Sequence, residues 1–238
     1  KASLSALTNA VRPARHTAWI ESFATDEAEE WEKVIEKEIH PTDGKLHMGE
    51  VVRRVSEATN HNAVLVTDVG QNQMVGVRYF QYTQTRSVVT SGGLGTMGFG
   101  LPAAIGAKLG APDRTVCLFV GDGGLQMTIQ ELGTIMQERL DVKIILLNNH
   151  FLGMVRQWQE LFFNERYSAT EMENPDFVAI ARAFRIASRE VSRREELDEA
   201  VEEMMATDGP YLLVADVEKC GIIYPMVPAG ASISNILM

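Results

Sequence analysis

Six short, mostly apolar runs punctuate this chain, and each closes on a cluster of Gly, Asp, Asn, Gln or Ser. Ala63–Thr67, Ser87–Thr90, the run that opens at Thr115, the run that closes at Asn148, Ile186–Val191 and Tyr211–Val217 read as strands. Between them, apolar residues recur at helical spacing. Helices are predicted over Asp26–Ile39, His47–Asn60, Gln71–Phe80 and Leu101–Leu109, then after Gly123, and over Gly153–Asn164, Pro175–Phe184 and Glu195–Ala206. Asn174 is expected to cap the helix that has Pro175 in its first turn. Strands that are apolar throughout are buried on both faces, and strand–helix alternation calls for a covered parallel sheet. The expected fold class is therefore α/β, a doubly wound parallel sheet with helices on both faces. Residues 1–41 lack strands and read as a linker or helical arm from a preceding domain. Residues 219–238 hold Pro225 and Pro228 and read as a loop-like tail.

A doubly wound sheet binds ligands beyond the carboxyl ends of its strands. Here those ends are Thr67–Gln71, Ser91–Gly95, Gly121–Gly124 and Asn148–Phe151, where the small and polar residues gather. Asp122 and Asn149 lie 27 positions apart, each after an apolar strand, which fits one strand–helix–strand unit. Parallel strands then deliver both side chains to one edge. Gly123 and Gly124 open a helix, as do Gly70, Gln71 and Asn72, so two helix N-termini offer backbone N–H groups to an anion. A carboxylate and an amide oxygen beside two anion sites suit Mg²⁺ held partly by a diphosphate. A lone Gly-Asp-Gly or Asn-Asn is usually a turn; the two at this spacing carry the inference.

Other chemistry is weaker. Gly93–Gly98 spells G-x-G-x-x-G, the pattern of a nicotinamide-binding oxidoreductase domain, yet the acid at the next strand end, Asp122, is flanked by glycines that suit an anion better than a ribose. His16, His40, His47 and His61 show no ligand spacing, and His150 borders the cleft without an assigned proton-transfer role. A net charge of −10 argues against nucleic acid or an anionic membrane as partner. No apolar run approaches a membrane span. Cys117 and Cys220 fit neither a metal site nor a disulfide framework, so a reducing cytoplasm is the simplest setting.

Gly121-Asp122-Gly123 followed at a distance by Asn148-Asn149 resembles the thiamine diphosphate motif of the 2-oxo-acid decarboxylase superfamily. TDVGQNQM (67–74), TSGGLGTMGFGLPAAIGAKLGAP (90–112), GMVRQWQELFF (153–163), NPDF (174–177) and YPMVPAG (224–230) together resemble the catalytic large subunit of acetohydroxyacid synthase, also called acetolactate synthase. The likeness covers about residues 45–235 and corresponds to the C-terminal third of that enzyme. It makes residues 42–218 the thiamine diphosphate-binding domain and residues 219–238 an active-site lid. Residues 152–167 and the tail from Cys220 are then expected to be poorly ordered until cofactor binds.

The resemblance implies Mg²⁺ on Asp122, Asn149 and the Phe151 carbonyl. Gly70, Gln71, Asn72, Gly121, Gly123 and Gly124 would hold the diphosphate. Gly95 and Met97 would bond the aminopyrimidine, with the Met97 side chain bending the cofactor. Met97, Met154, Val155 and Trp158 would line the substrate pocket. The implied reaction decarboxylates pyruvate and joins the two-carbon product to pyruvate or 2-oxobutanoate. FAD, a regulatory small subunit and a homodimer or tetramer belong to the same expectation. No catalytic residue is assigned in this chain; the activating glutamate is expected from another domain, so the chain alone should be inactive. Two positions depart from the family: Asn72 replaces its usual His, and Gly124 stands where Ser is common. The Gly-Met-Val-x-Gln-Trp block argues against a pyruvate oxidase, a glyoxylate carboligase or an FAD-independent acetolactate synthase.

Overall fold

The computed structural model describes all 238 residues. Six strands form one parallel sheet in the order β2-β1-β3-β4-β6-β5. They are β1 (Val64–Thr67), β2 (Val88–Val89), β3 (Val116–Gly121), β4 (Val142–Asn148), β5 (Ala187–Val191) and β6 (Tyr211–Asp216). The chain steps outward one way from β1 to β2 and the other way from β3 to β4. The order therefore reverses between β1 and β3, and a crevice opens beyond their carboxyl ends.

The alternation of side chains along each strand splits the core into two layers. Val64, Val66, Leu118, Val120, Ile144 and Leu146 meet α6 (Gly100–Gly110), α8 (Leu132–Glu138) and α10 (Phe177–Ala183) on one face. Leu65, Cys117, Phe119, Ile145 and Leu147 meet α4 (Met48–Ala58), α5 (Gln71–Tyr79) and α11 (Leu197–Ala206) on the other. The doubly wound α/β expectation holds, because continuous apolar strands need both covers.

Four local expectations are corrected. The helix predicted to start at Asp26 starts at Thr17, as α2 (Thr17–Glu30), and runs through a π-helical turn (Trp31–Ile35) into α3 (Glu36–Ile39). A further helix, α1 (Ala2–Ala10), precedes it. The helix after Gly121 is broken at Thr128, into α7 (Asp122–Met127), a 3₁₀ turn (Ile129–Glu131) and α8. The cap of α10 is Asp176, whose carboxylate accepts from the Ala179 N–H at 2.8 Å; Asn174 is used elsewhere.

The α2–α3 helix is tied to the domain by polar contacts. Glu30 pairs with Arg78 on α5. Glu38 accepts from the Gly49 N–H at 2.7 Å, at the positive end of α4, and lies 3.1 Å from His47 Nδ1. A Cβ on Gly49 would stand 2.5 Å from the Glu38 side chain. The Glu38 hydrogen bond holds His47 above the ordinary histidine range, against desolvation, with Glu50 adding to it and Arg194 opposing. A histidine raised on folding stabilises fully below about pH 6.5, and that contribution is lost as pH rises through the folded value. Hydrogen exchange of residues 30–40, corrected for intrinsic rates, should therefore speed up relative to the core between pH 6 and 8. In His47→Gln this pH dependence should vanish; a parent chain with equal protection at both pH values would contradict it.

Candidate functional site

Beyond β1 and β3 lies a cavity of about 260 Å³. Its lining includes Gly70, Gln71, Asn72, Gly95, Met97, Gly121, Asp122, Gly123, Gly124, Asn149, Phe151, Met154 and Val155, all singled out in the sequence. Trp158 is not among the lining residues; it is 39% exposed on α9 (Gly153–Phe162) and stacks edge-on against Phe162. His150 also stays outside the lining. Asp122 is the one carboxylate in the lining, which contains no Lys or Arg.

The first wall is the turn from β1 into α5. Gly70 has φ +110°, a conformation that a side chain would strain, and it starts the helix at Gln71. Asn72 donates from Nδ2 to the Val69 carbonyl at 2.9 Å. Its Oδ1 is buried without any partner.

The second wall is the turn from β3 into α7. Asp122 is 1% exposed; it accepts from the Gly123 N–H at 2.9 Å and from Asn174 Nδ2 at 2.7 Å. Burial pushes its carboxyl above the ordinary range, opposed by those two hydrogen bonds and by His150. A buried carboxylate with no cation beside it is costly, so the pocket favours a positive ion there. A Cβ on Gly123 would press within 2.7 Å of Leu152, so this approach is open only to glycine as the side chains stand.

The third wall follows β4. Asn149 is 3% exposed, donates from Nδ2 to Gln71 Oε1 at 3.2 Å and accepts from the Phe151 N–H at 3.2 Å. His150, at φ +60°, turns the chain between them. The Arg156 guanidinium lies over the Phe151 ring, 5.2 Å from its centroid. The segment pairs with residues further on: Leu152 N–H donates to Thr170 and Met172 N–H to His150.

Three groups in this site were not identified by sequence reasoning. Asn174 bonds Asp122 and Asn148. Gln157, 1% exposed, accepts from Gln71 Nε2 at 2.8 Å and from the Ile223 N–H at 3.0 Å, and donates to the Ile223 carbonyl at 3.2 Å. Gln71 Nε2 also donates to Gly221 O at 2.8 Å, so two amides tie the cleft to the tail. Asp68, fully buried, accepts from the N–H groups of Gly98 and Gly100. That last contact bears on the G-x-G-x-x-G pattern. The helix N-terminus that would meet a dinucleotide's pyrophosphate already holds a carboxylate.

The donors fit Mg²⁺-diphosphate chemistry. Asp122, Asn149 and the Phe151 carbonyl are hard oxygen donors. Gln71 and Gly123, at helix starts, line the cavity, with the Gly123 N–H donating to Asp122 Oδ1 at 2.9 Å. No group of three His, Cys, Asp or Glu side chains offers a nitrogen- or sulfur-rich metal cage.

Comparison with known proteins agrees with this geometry. The family model described as thiamine pyrophosphate enzyme, C-terminal TPP binding domain, matches residues 68–215. The large subunit of acetolactate synthase isozyme 2 of Escherichia coli K12 is 44% identical over 199 residues, which is 83% of this chain and 36% of that protein. The acetolactate synthase large subunit of Lactococcus lactis is 42% identical, over 80% of this chain and 33% of that protein. A thiamine diphosphate-dependent 4-hydroxybenzoylformate decarboxylase from Rhodococcus jostii superposes with a TM-score of 0.68 at 25% identity, over 74% of this chain and 33% of that one. The chain thus spans about a third of the length of the curated relatives it matches. It belongs to the C-terminal, cofactor-binding domain family of the thiamine pyrophosphate enzymes, and within that family it is a homologue of the acetolactate synthase large subunits.

Proposed function

We propose that this chain is the part of an acetolactate synthase that holds Mg²⁺-thiamine diphosphate, and that the whole enzyme converts pyruvate, alone or with 2-oxobutanoate, to acetohydroxy acids. The observation that carries the reading is the cavity at the β1/β3 reversal, where Asp122 and Asn149 meet two helix starts. Thiamine diphosphate supplies the electron sink that lets a 2-oxo acid lose CO₂ and the remainder join a second 2-oxo acid. The chain's own residues bind and orient. Asp122, Asn149 and the Phe151 carbonyl take Mg²⁺; Gly70, Gln71, Asn72, Gly121, Gly123 and Gly124 take the diphosphate. Gly95 and Met97 take the aminopyrimidine. Met97, Met154, Val155 and, after a shift of α9, Trp158 face the substrate. The tail beyond Cys220, held through Gln157, covers the cleft and excludes water.

FAD, an activating glutamate, the partner subunits of an oligomer and a regulatory small subunit lie outside these residues in this reading. The cytoplasm is the proposed setting. No helix is long and apolar enough to cross a membrane.

Calorimetry tests the binding half of the proposal. Thiamine diphosphate should bind the chain saturably with Mg²⁺ and not with EDTA, and the chain should form no acetolactate from pyruvate. Saturable NADH binding with no response to thiamine diphosphate would overturn it.

A further inference from the structure

We infer that Asn174 is a positioning residue for the metal end of this site, locking Asp122, at the start of α7, to Asn148, at the end of β4. The inference rests on the Mg²⁺ reading of Asp122. Strands β3 and β4 pair up to Gly121 opposite Leu147, and there the backbone ladder stops. The next positions along the two strands are Asp122 and Asn148. Asp122 turns away as the first residue of α7, while Asn148 ends β4 opposite Asp216 of β6, and no backbone hydrogen bond joins the two. Asn174 fills that place with a side chain. Its Nδ2 donates to Asp122 Oδ2 at 2.7 Å and to Asn148 Oδ1 at 2.8 Å. One amide group, with its two hydrogens, substitutes for the missing rung.

The direction of this amide follows from its neighbours. Gln126 Nε2 donates to the Asp122 carbonyl at 3.2 Å, and a carbonyl can only accept. The same nitrogen reaches Asn174 Oδ1 at 3.0 Å. The Asn174 oxygen therefore faces Gln126, and its NH₂ faces Asp122 and Asn148. Flipping either amide would set donor against donor or acceptor against acceptor. The bonds to Asp122 and Asn148 are both at the short end for N–H···O. The bond to Asp122 fixes the plane of the carboxylate while leaving lone pairs on both oxygens for a cation. Asn174 itself is not among the cavity-lining residues, so it acts through Asp122 and Asn148.

Partners that orient a metal ligand typically change metal affinity by roughly 10–100-fold when removed. The test titrates Mg²⁺ at fixed thiamine diphosphate, by calorimetry, on the parent chain, Asn174→Ala, Asp122→Ala and the double variant. Asn174→Ala should raise half-saturating Mg²⁺ by roughly 10–100-fold, while excess Mg²⁺ restores thiamine diphosphate binding. In the Asp122→Ala background the same substitution should add nothing. A lowered binding stoichiometry with unchanged half-saturation in Asn174→Ala would show a merely structural role and overturn the inference. So would an undiminished effect of Asn174→Ala in the double variant. If Asp122→Ala itself leaves half-saturation unchanged, the Mg²⁺ reading fails first and the inference falls with it.

Discussion

Asp122→Ala should severely weaken Mg²⁺-dependent binding of thiamine diphosphate, raising its dissociation constant by about 100-fold, or about 2.7 kcal/mol. The reason is a charge balance within the cavity. No Lys or Arg lines it, so in the proposed complex backbone N–H groups and Mg²⁺ would offset the diphosphate between them. Asp122 is the only charged side chain there to hold that ion. Losing it removes both the carboxylate and its pull on the cation, and Asn149 alone is a neutral ligand. Calorimetry with and without EDTA is the measurement. At Mg²⁺ concentrations that saturate the parent, the variant should bind far more weakly; affinity unchanged in the variant but lost in EDTA would place the metal elsewhere.

Gly153→Ala should lower both stability and Mg²⁺ affinity. A Cβ at this position would stand 2.2 Å from Gln71 Oε1 and 2.7 Å from Asn149 Nδ2. Neither side chain is free to retreat. Gln71 bonds Gln157, Gly221 and Asn149, and moving it leaves buried polar groups unpaired. Each such group costs about 1–3 kcal/mol, which outweighs the gain of at most about 1 kcal/mol from replacing a helical glycine. For a net loss of about 2–3 kcal/mol, Tm should fall by roughly 5–10 °C in a chain of this size. Gly123→Ala is the control. Its nearest neighbours are the tips of Leu152, Met172 and Met97, which can give way, so the drop in Tm should be smaller. Thermal melts of the three proteins without ligand decide the comparison, and equal Tm values for parent and Gly153→Ala would refute the packing argument.

The parts of the site that lie on strand ends were legible in the sequence. Apolar strands mark where the sheet stops, and parallel topology puts every carboxyl end on one edge. Asp122, Asn149, Gly70 and Gly123 were placed by that logic alone. The contacts that hold them were not legible, because each joins residues whose separation no periodicity measures. Asn174 reaches Asp122 across 52 positions, and Gln157 reaches Ile223 across 66. Asn174 was expected to cap α10; Asp176 caps it instead, and the Asn174 amide is engaged with Asp122 and Asn148. The start of α2 was missed for another reason. All of its residues up to Glu29 are exposed, so no buried face stamped a helical period on them. Trp158, expected at the substrate pocket from its motif, lies with its ring against Phe162 and outside the cavity lining.

The side-chain amides between the cleft and the tail face one way, although the Ile223 N–H donates back to Gln157. Asn149 donates to Gln71, Gln71 to Gln157 and Gly221, and Gln157 to Ile223. Such a row behaves as aligned dipoles, and each bond strengthens the next when the first is polarised. A cation drawn to the Asn149 oxygen makes its N–H a stronger donor, and the increment passes outward in the same sense at every step. An anion there would work against the row. In the proposed Mg²⁺ complex the tail should therefore respond to the sign of a charge it never touches.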